Sequence, residues 1–240
     1  MAREFTHLKF TDVTFVEDLK EGKYSAVFKV VVRGTTCVMK MWHDWIIYEP
    51  EDIEENPFLR EYFAYRRLKE KGLCERGVVP DFYGTITDIK LSLLPTEWPA
   101  ETYSVRDMFQ KDNSPLNAIL IEYIPGLEKI DLSNYSTRYL DDIRRILGDI
   151  HLARVFHNDP YPRNFMISRE QDRVLWMDFH CSETFPETST LTKEQKAAFR
   201  QERGIINHFI KDLTKDYNKG KLKYAQGYYS NDTGECDESD

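Results

Sequence analysis

The chain has 240 residues, 41% hydrophobic and 31% charged, which is enough apolar material for one large core or two small ones and excludes a fibrous or wholly disordered protein. Its 33 Lys and Arg against 41 Asp and Glu leave a net charge of −8, which argues against a sequence-independent grip on nucleic-acid phosphates and points to a small molecule or a protein as partner. Five of those acids, Asp232, Glu235, Asp237, Glu238 and Asp240, fall in the last ten residues, so 231–240 reads as a solvated, disordered acidic tail.

In chain order, MAREFTHLKF lacks the basic cap and apolar run of a signal peptide, and no later stretch reaches the roughly 20 apolar residues of a membrane helix; an intracellular, cytoplasmic protein is expected. Lys23 to Trp42 holds two runs rich in Val, Thr and aromatics around Arg33-Gly34, which predicts an antiparallel hairpin. After the acidic stretch Glu49 to Glu55, Pro57 suits the first position of a helix ending near Lys71, with Gly72 as its stop. Two further strands are expected at Val78 to Ile86 and Asn117 to Ile124, separated by a polar, Pro-containing stretch.

Beyond Pro125-Gly126 the pattern turns helical. Leu140, Ile143, Leu147, Ile150 and Leu152 give Tyr139 to Val155 an apolar stripe; a loop NDPYPRN, a hairpin of Phe165 to Ser168 with Val174 to Phe179, and a helix over Lys193 to Tyr217 follow. The fold class is therefore α+β, with two lobes and a cleft: a β-rich N-lobe with one main helix over 1–124 and a reduced, mainly helical C-lobe over 125–230. The four cysteines form no C-x-x-C pair, so no zinc knuckle is indicated.

The most specific stretch is His157-Asn158-Asp159-Pro160-Tyr161-Pro162-Arg163-Asn164, with Asp178-Phe179 fourteen residues after Asn164. An Asp with an Asn five residues on, in a loop, and a second Asp at a strand end can converge on one divalent cation and a phosphate chain, since magnesium takes hard oxygen ligands. For either His157 or Asp159 alone, ordering of a turn is an equally good reading. Glu61 shares a helical face with Phe58, Tyr65 and Leu68 and should point inward, where it needs a cation; Lys40, ending the apolar run CVMK, needs an anion.

Taken together, these pieces resemble the protein-kinase-like superfamily. LKEGKYSAVFKV is similar to its glycine-rich phosphate loop, CVMK to its V-A-I-K strand, LIEYIPG to its hinge, HNDPYPRN to its catalytic loop and WMDFH to its D-F-G metal motif, in the right order from about residue 19 to 182. The resemblance implies ATP and Mg2+ as cofactors. Lys40, held by Glu61, would contact the α and β phosphates; Asn164 and Asp178 would hold magnesium; Asp159 would accept the proton of an attacking hydroxyl. Gly22 would approach the phosphates, Val27, Val38 and Ile121 would enclose the base, and Glu122, Tyr123 and Ile124 would offer it backbone groups. The acceptor, a hydroxyl of a small molecule or a protein, is left open.

Lys20 and Ser25 stand where the phosphate loop carries two further glycines, His180 replaces the Gly of D-F-G, and Asn158 replaces the Arg before the catalytic Asp, so control through a phosphorylated loop and that Arg is not expected. Only 62 residues follow Asp178, which resembles compact members: aminoglycoside and choline phosphotransferases, lipopolysaccharide kinases, the small atypical kinase of the tRNA threonylcarbamoylation complex, and fungal kinase-like proteins. Two rival readings stand beside phosphoryl transfer. One is a pseudokinase that binds without turnover; the other is a non-haem iron oxygenase using His157, Asp159 and His208.

Overall fold

In the computed structural model, residues 5–22, 24–43, 56–96, 105–112 and 115–230 are described. The acidic stretch 49–55 and the tail 231–240 lie outside them. The chain divides into two compact units, Met1–Tyr62 with Asp81–Tyr123 and Phe63–Pro80 with Ile124–Asp240.

The first unit is built on an antiparallel sheet of β1 (Val13–Glu21), β2 (Ser25–Val32), β3 (Thr35–Trp42), β4 (Phe82–Ile89) and β5 (Leu116–Glu122), in the order β1-β2-β3-β5-β4. The hairpin expected around Arg33-Gly34 is β2 and β3. Arg33 and Gly34 take φ of 49° and 79°, the left-handed pair whose twist suits a two-residue turn. Strand β2 alternates half-buried and buried residues, as β-branched side chains on one covered face require. That covered face carries Ala26, Phe28, Val30, Cys37, Met39 and Met41 and is closed by Phe5, Leu8, Phe10 and the four-residue helix α2 (Val105–Met108).

Two strands differ from expectation. Strand β1 has no counterpart among the expected strands: its alternation is broken by register shifts at Phe15/Glu17 and Asp18/Lys20, which hide the period of two in the sequence. Strand β4 begins at Phe82 rather than Val78: the Val78 carbonyl accepts from the Trp176 amide at 3.0 Å, which takes 78–80 into the second unit.

Helix α1 (Pro57–Glu70) is capped by Asn56, whose Oδ1 accepts from the Leu59 amide at 3.2 Å, and is stopped by Gly72 at φ 75°. Its first turns belong to the first unit and the rest to the second. The second unit carries α3 (Thr137–Leu152), which buries Leu140, Ile143, Ile146, Leu147 and Ile150. The long helix α4 (Lys193–Lys219) starts on a Thr192–Gln195 capping box and ends at Gly220 with φ 63°. Short strands complete the unit. β6 (Leu127–Lys129), β8 (Phe165–Ser168) and β9 (Arg173–Trp176) form one sheet; β7 (Val155–Phe156) pairs with β10 (Glu183–Thr184). After α4 the chain returns onto it: buried Asp216 accepts the amides of Lys223, Tyr224 and Ala225, and Tyr228 and Tyr229 of α5 (Gln226–Ser230) lie edge-on to Phe209.

Candidate active site

Within the first unit, register decides which side chains meet. Val27 pairs with Lys40, Lys40 with Ile119, and Val38 with Ile121, and directly opposed residues share a face. Val27, Val38, Lys40 and Ile121 therefore line the face of the sheet opposite the covered core. Lys40 Nζ lies 3.0 Å from Glu61 Oε2 and 4.3 Å from the centre of the Trp42 ring. The two charged side chains are 11% and 2% exposed, so each is held where an unpaired charge would be strongly disfavoured. The inward face of α1 thus delivers the anion that Lys40 needs, and β3 the cation that Glu61 needs.

Gly22 sits at the turn after β1, donating from its amide to the Ser25 carbonyl at 3.0 Å. Its φ is not positive, and among the described residues a Cβ there would meet Ser25 O at 3.4 Å, an ordinary contact, so glycine is not required at this position. Glu122 donates its amide to Asp81 O at 2.8 Å and accepts the Asp81 amide on its carboxylate at 3.1 Å, so any contact to a base falls to its carbonyl. Tyr123 lies under Lys29 Nζ at 4.6 Å, while Ile124 is buried at the start of the second unit.

In the second unit the loop 157–164 is closed on itself. Asn164 Nδ2 donates to Asp159 Oδ2 at 2.5 Å and to the Asp159 carbonyl at 2.9 Å; the amides of Tyr161 and Asn164 bond back to Asp159 O and Tyr161 O. With its Nδ2 turned to Asp159, the Asn164 amide presents its oxygen as the acceptor. Asp159 Oδ1 accepts from Arg163 Nη2 at 2.6 Å, and the guanidinium stands 4.9 Å from the Tyr161 ring. Asp159 is only 2% exposed. Met177, next to Asp178, donates to the Asn164 carbonyl at 2.9 Å and accepts from His157 Nε2 at 3.1 Å. His157 is fully buried against Trp176 and Phe179, which agrees with the reading that it orders the turn.

The loop is also fastened from α4. Glu202 accepts the Asn158 amide on Oε1 at 2.7 Å, and Asn158 takes the left-handed φ of 62°. Arg203 Nε donates to His151 Nδ1 at 3.0 Å, so His151 carries its proton on Nε2 and donates it to Glu202 Oε2 at 2.5 Å. These three residues and Arg163 escaped the sequence reading. Glu202 had the same signal as Glu61: it falls on the apolar face of its helix, between Phe199 and Ile206. Arg163 stands four residues from Asp159 with the opposite charge.

The carboxylate of Asp178 and the amide oxygen of Asn164 are hard oxygen donors of the kind magnesium takes, so their chemistry fits that ion. Among the described residues, no group of three or more His, Cys, Asp or Glu is arranged to hold a metal. The iron reading is thereby corrected: His208 is exposed on α4 while His157 and Asp159 are buried, so the three do not gather as ligands.

Two comparisons with known proteins bear on this arrangement. The family model described as "Lipopolysaccharide core biosynthesis protein (WaaY)" matches residues 106–220, which include Ile121 to Ile124, Asp159, Asn164 and Asp178. The lipopolysaccharide core heptose(II) kinase WaaY of Escherichia coli is 20% identical over 234 residues, 94% of this chain and 91% of that protein. Among the described residues no helix is long and apolar enough to cross a membrane. With the α+β architecture, these likenesses bear out the resemblance to the protein-kinase-like superfamily and the reading of the chain as a kinase, a phosphotransferase with an alcohol group as acceptor.

Proposed function

We propose that the chain transfers the γ-phosphoryl group of ATP to a hydroxyl of a sugar. The observation that carries the reading is the buried Lys40–Glu61 pair: two charges withdrawn from water at 3.0 Å cost stability that a purely structural sheet has no need to forgo. The sugar acceptor rests on the likeness to a protein named a heptose kinase. Work on the cytoplasmic side suits a reaction that consumes ATP.

In this reading Lys40, kept extended by Glu61, orients the α and β phosphates, and Val27, Val38 and Ile121 enclose the base, which the Glu122 carbonyl and the backbone of Tyr123 and Ile124 recognise. Asn164 and Asp178 hold magnesium, which when bound neutralises charge on the phosphate oxygens. The acceptor oxygen forms a bond to the γ-phosphorus as the bond from that phosphorus to the β–γ bridging oxygen breaks. ADP leaves, and the acceptor's proton passes to the Asp159 carboxylate and on to solvent. Asp159 acts by position: Arg163 and Asn164 each occupy one of its oxygens and fix the plane of the carboxylate.

A binding protein without turnover is the second reading, favoured by Lys20 and Ser25 in place of two glycines. Incubation with γ-labelled ATP and a panel of heptoses and hexoses, with magnesium and with EDTA, separates the two. Metal-dependent labelling of a sugar is expected; nucleotide binding with no labelled product would establish the second reading.

A further inference from the structure

The metal motif of this chain carries His180 where the superfamily pattern has glycine, and the structure shows what the side chain does. His180 is 6% exposed, and its Nδ1 lies 2.6 Å from Asp178 Oδ1. A carboxylate oxygen only accepts, so Nδ1 carries the proton and donates it. The turn around this bond is held at every residue. Asp178 takes a φ of 63°, a left-handed conformation that aspartate adopts more readily than most non-glycine residues. Phe179 is fully buried, 5.2 Å from the Tyr65 ring and 4.8 Å from the His157 ring, and its carbonyl accepts from both the amide and the hydroxyl of Ser182, at 3.0 and 2.6 Å. On the other side Met177 is tied to Asn164 and His157.

Glycine at 180 would remove this hydrogen bond to the Asp178 carboxylate. We propose that His180 is a positioning residue for the metal ligand Asp178: its imidazole fixes the carboxylate in its metal-binding orientation before the cation arrives. The inference rests on the reading of Asp178 as a magnesium ligand. Hydrogen-bonded partners of ligating carboxylates commonly contribute 10- to 100-fold in metal affinity, by fixing the orientation of the ligand.

The test is a titration of Mn2+, followed by its electron paramagnetic resonance signal, into the full-length protein saturated with a non-hydrolysable ATP analogue. Wild type, His180→Ala, His180→Gly and His180→Asn are compared, with nucleotide affinity measured in EDTA for each. Metal affinity is expected to fall about 10- to 100-fold in His180→Ala and His180→Gly. It should recover in part in His180→Asn, whose amide can still donate, with metal-free nucleotide affinity unchanged throughout. Equal Mn2+ affinity in wild type and His180→Ala would overturn the positioning role alone; failure of the wild type to bind Mn2+ with nucleotide would overturn the metal site and the inference together. If His180→Ala does not fold, the His180→Asn titration decides: Mn2+ affinity between that of wild type and that of His180→Gly is expected, and affinity as weak as the glycine variant's would count against the hydrogen bond.

Discussion

The two units meet the same demand, holding charged side chains in place, in different ways. In the first, burial and an ion pair act together: Lys40 and Glu61 meet at 3.0 Å with the Trp42 ring beside the ammonium, and Gly22 donates a backbone hydrogen bond to Ser25. In the second, Asp159 is fixed by Arg163 and Asn164, Asn158 by Glu202, Glu202 by His151, and Asp178 by His180. The lesson is that residues needing a set direction are held by several directed hydrogen bonds, whereas a residue that supplies mainly charge is held by an opposite charge and burial.

That contrast predicts where substitutions act. The largest effect is expected at Asp159. Asp159→Asn should lower the rate of transfer about 10²- to 10⁴-fold while leaving ATP affinity within about twofold, as separate measurement of kcat and of nucleotide binding will show. An equal loss in both would mean that the loop serves the nucleotide rather than the acceptor.

Glu61→Ala comes next. It leaves Lys40 buried without its carboxylate, and loss of one partner of a buried pair costs about 3–5 kcal/mol, read from urea unfolding. Nucleotide affinity should fall with it, unlike in the Asp159 variant. A change below about 1 kcal/mol would show that the pair is reached by water.

Asp216 sharpens the comparison away from the chemistry. Burial pushes its carboxyl up, but the amides of Ala225, Lys223 and Tyr224 together outweigh burial and hold it below the ordinary carboxylate range. Because the folded-state value is depressed, the stabilisation is present above the unfolded value and lost as pH falls through the folded one. Acid titration of the melting temperature should therefore show a decline below about pH 4 that is smaller in Asp216→Asn, whose group does not titrate. The smallest effect is expected for Gly22→Ala, which meets only ordinary contact with Ser25 O; a melting temperature within about 2 °C of wild type is the outcome to check.

Much of the fold could be read from local pattern because local pattern caused it. Arg33-Gly34 marks a turn with φ positive at both positions, Pro57 and Gly72 bound a helix, and the apolar stripe of α3 is the stripe it buries. What escaped was set by long-range pairing. Strand β1 pairs through two irregularities that scramble its alternation, and residues 78–80 are claimed by a hydrogen bond from Trp176, nearly a hundred residues away. The site divides in the same way. Lys40, Glu61, Asp159, Asn164 and Asp178 are candidates by type and spacing, whereas the reach of Glu202 to Asn158, 44 residues apart, depends on how α4 lies against the loop.

The most direct test of the account is the thermal shift of the purified protein on adding ATP, with magnesium and with EDTA, for the wild type and for Asp178→Ala. A ligand near 100 times its Kd adds about 2.7 kcal/mol to the stability of the folded state, so a magnesium-dependent rise of about 5 °C or more is expected in the wild type. In Asp178→Ala the magnesium dependence should vanish with the protein still folded. No shift in the wild type with either addition, or an undiminished magnesium-dependent shift in Asp178→Ala, would contradict the assignment of a magnesium–ATP site to these residues.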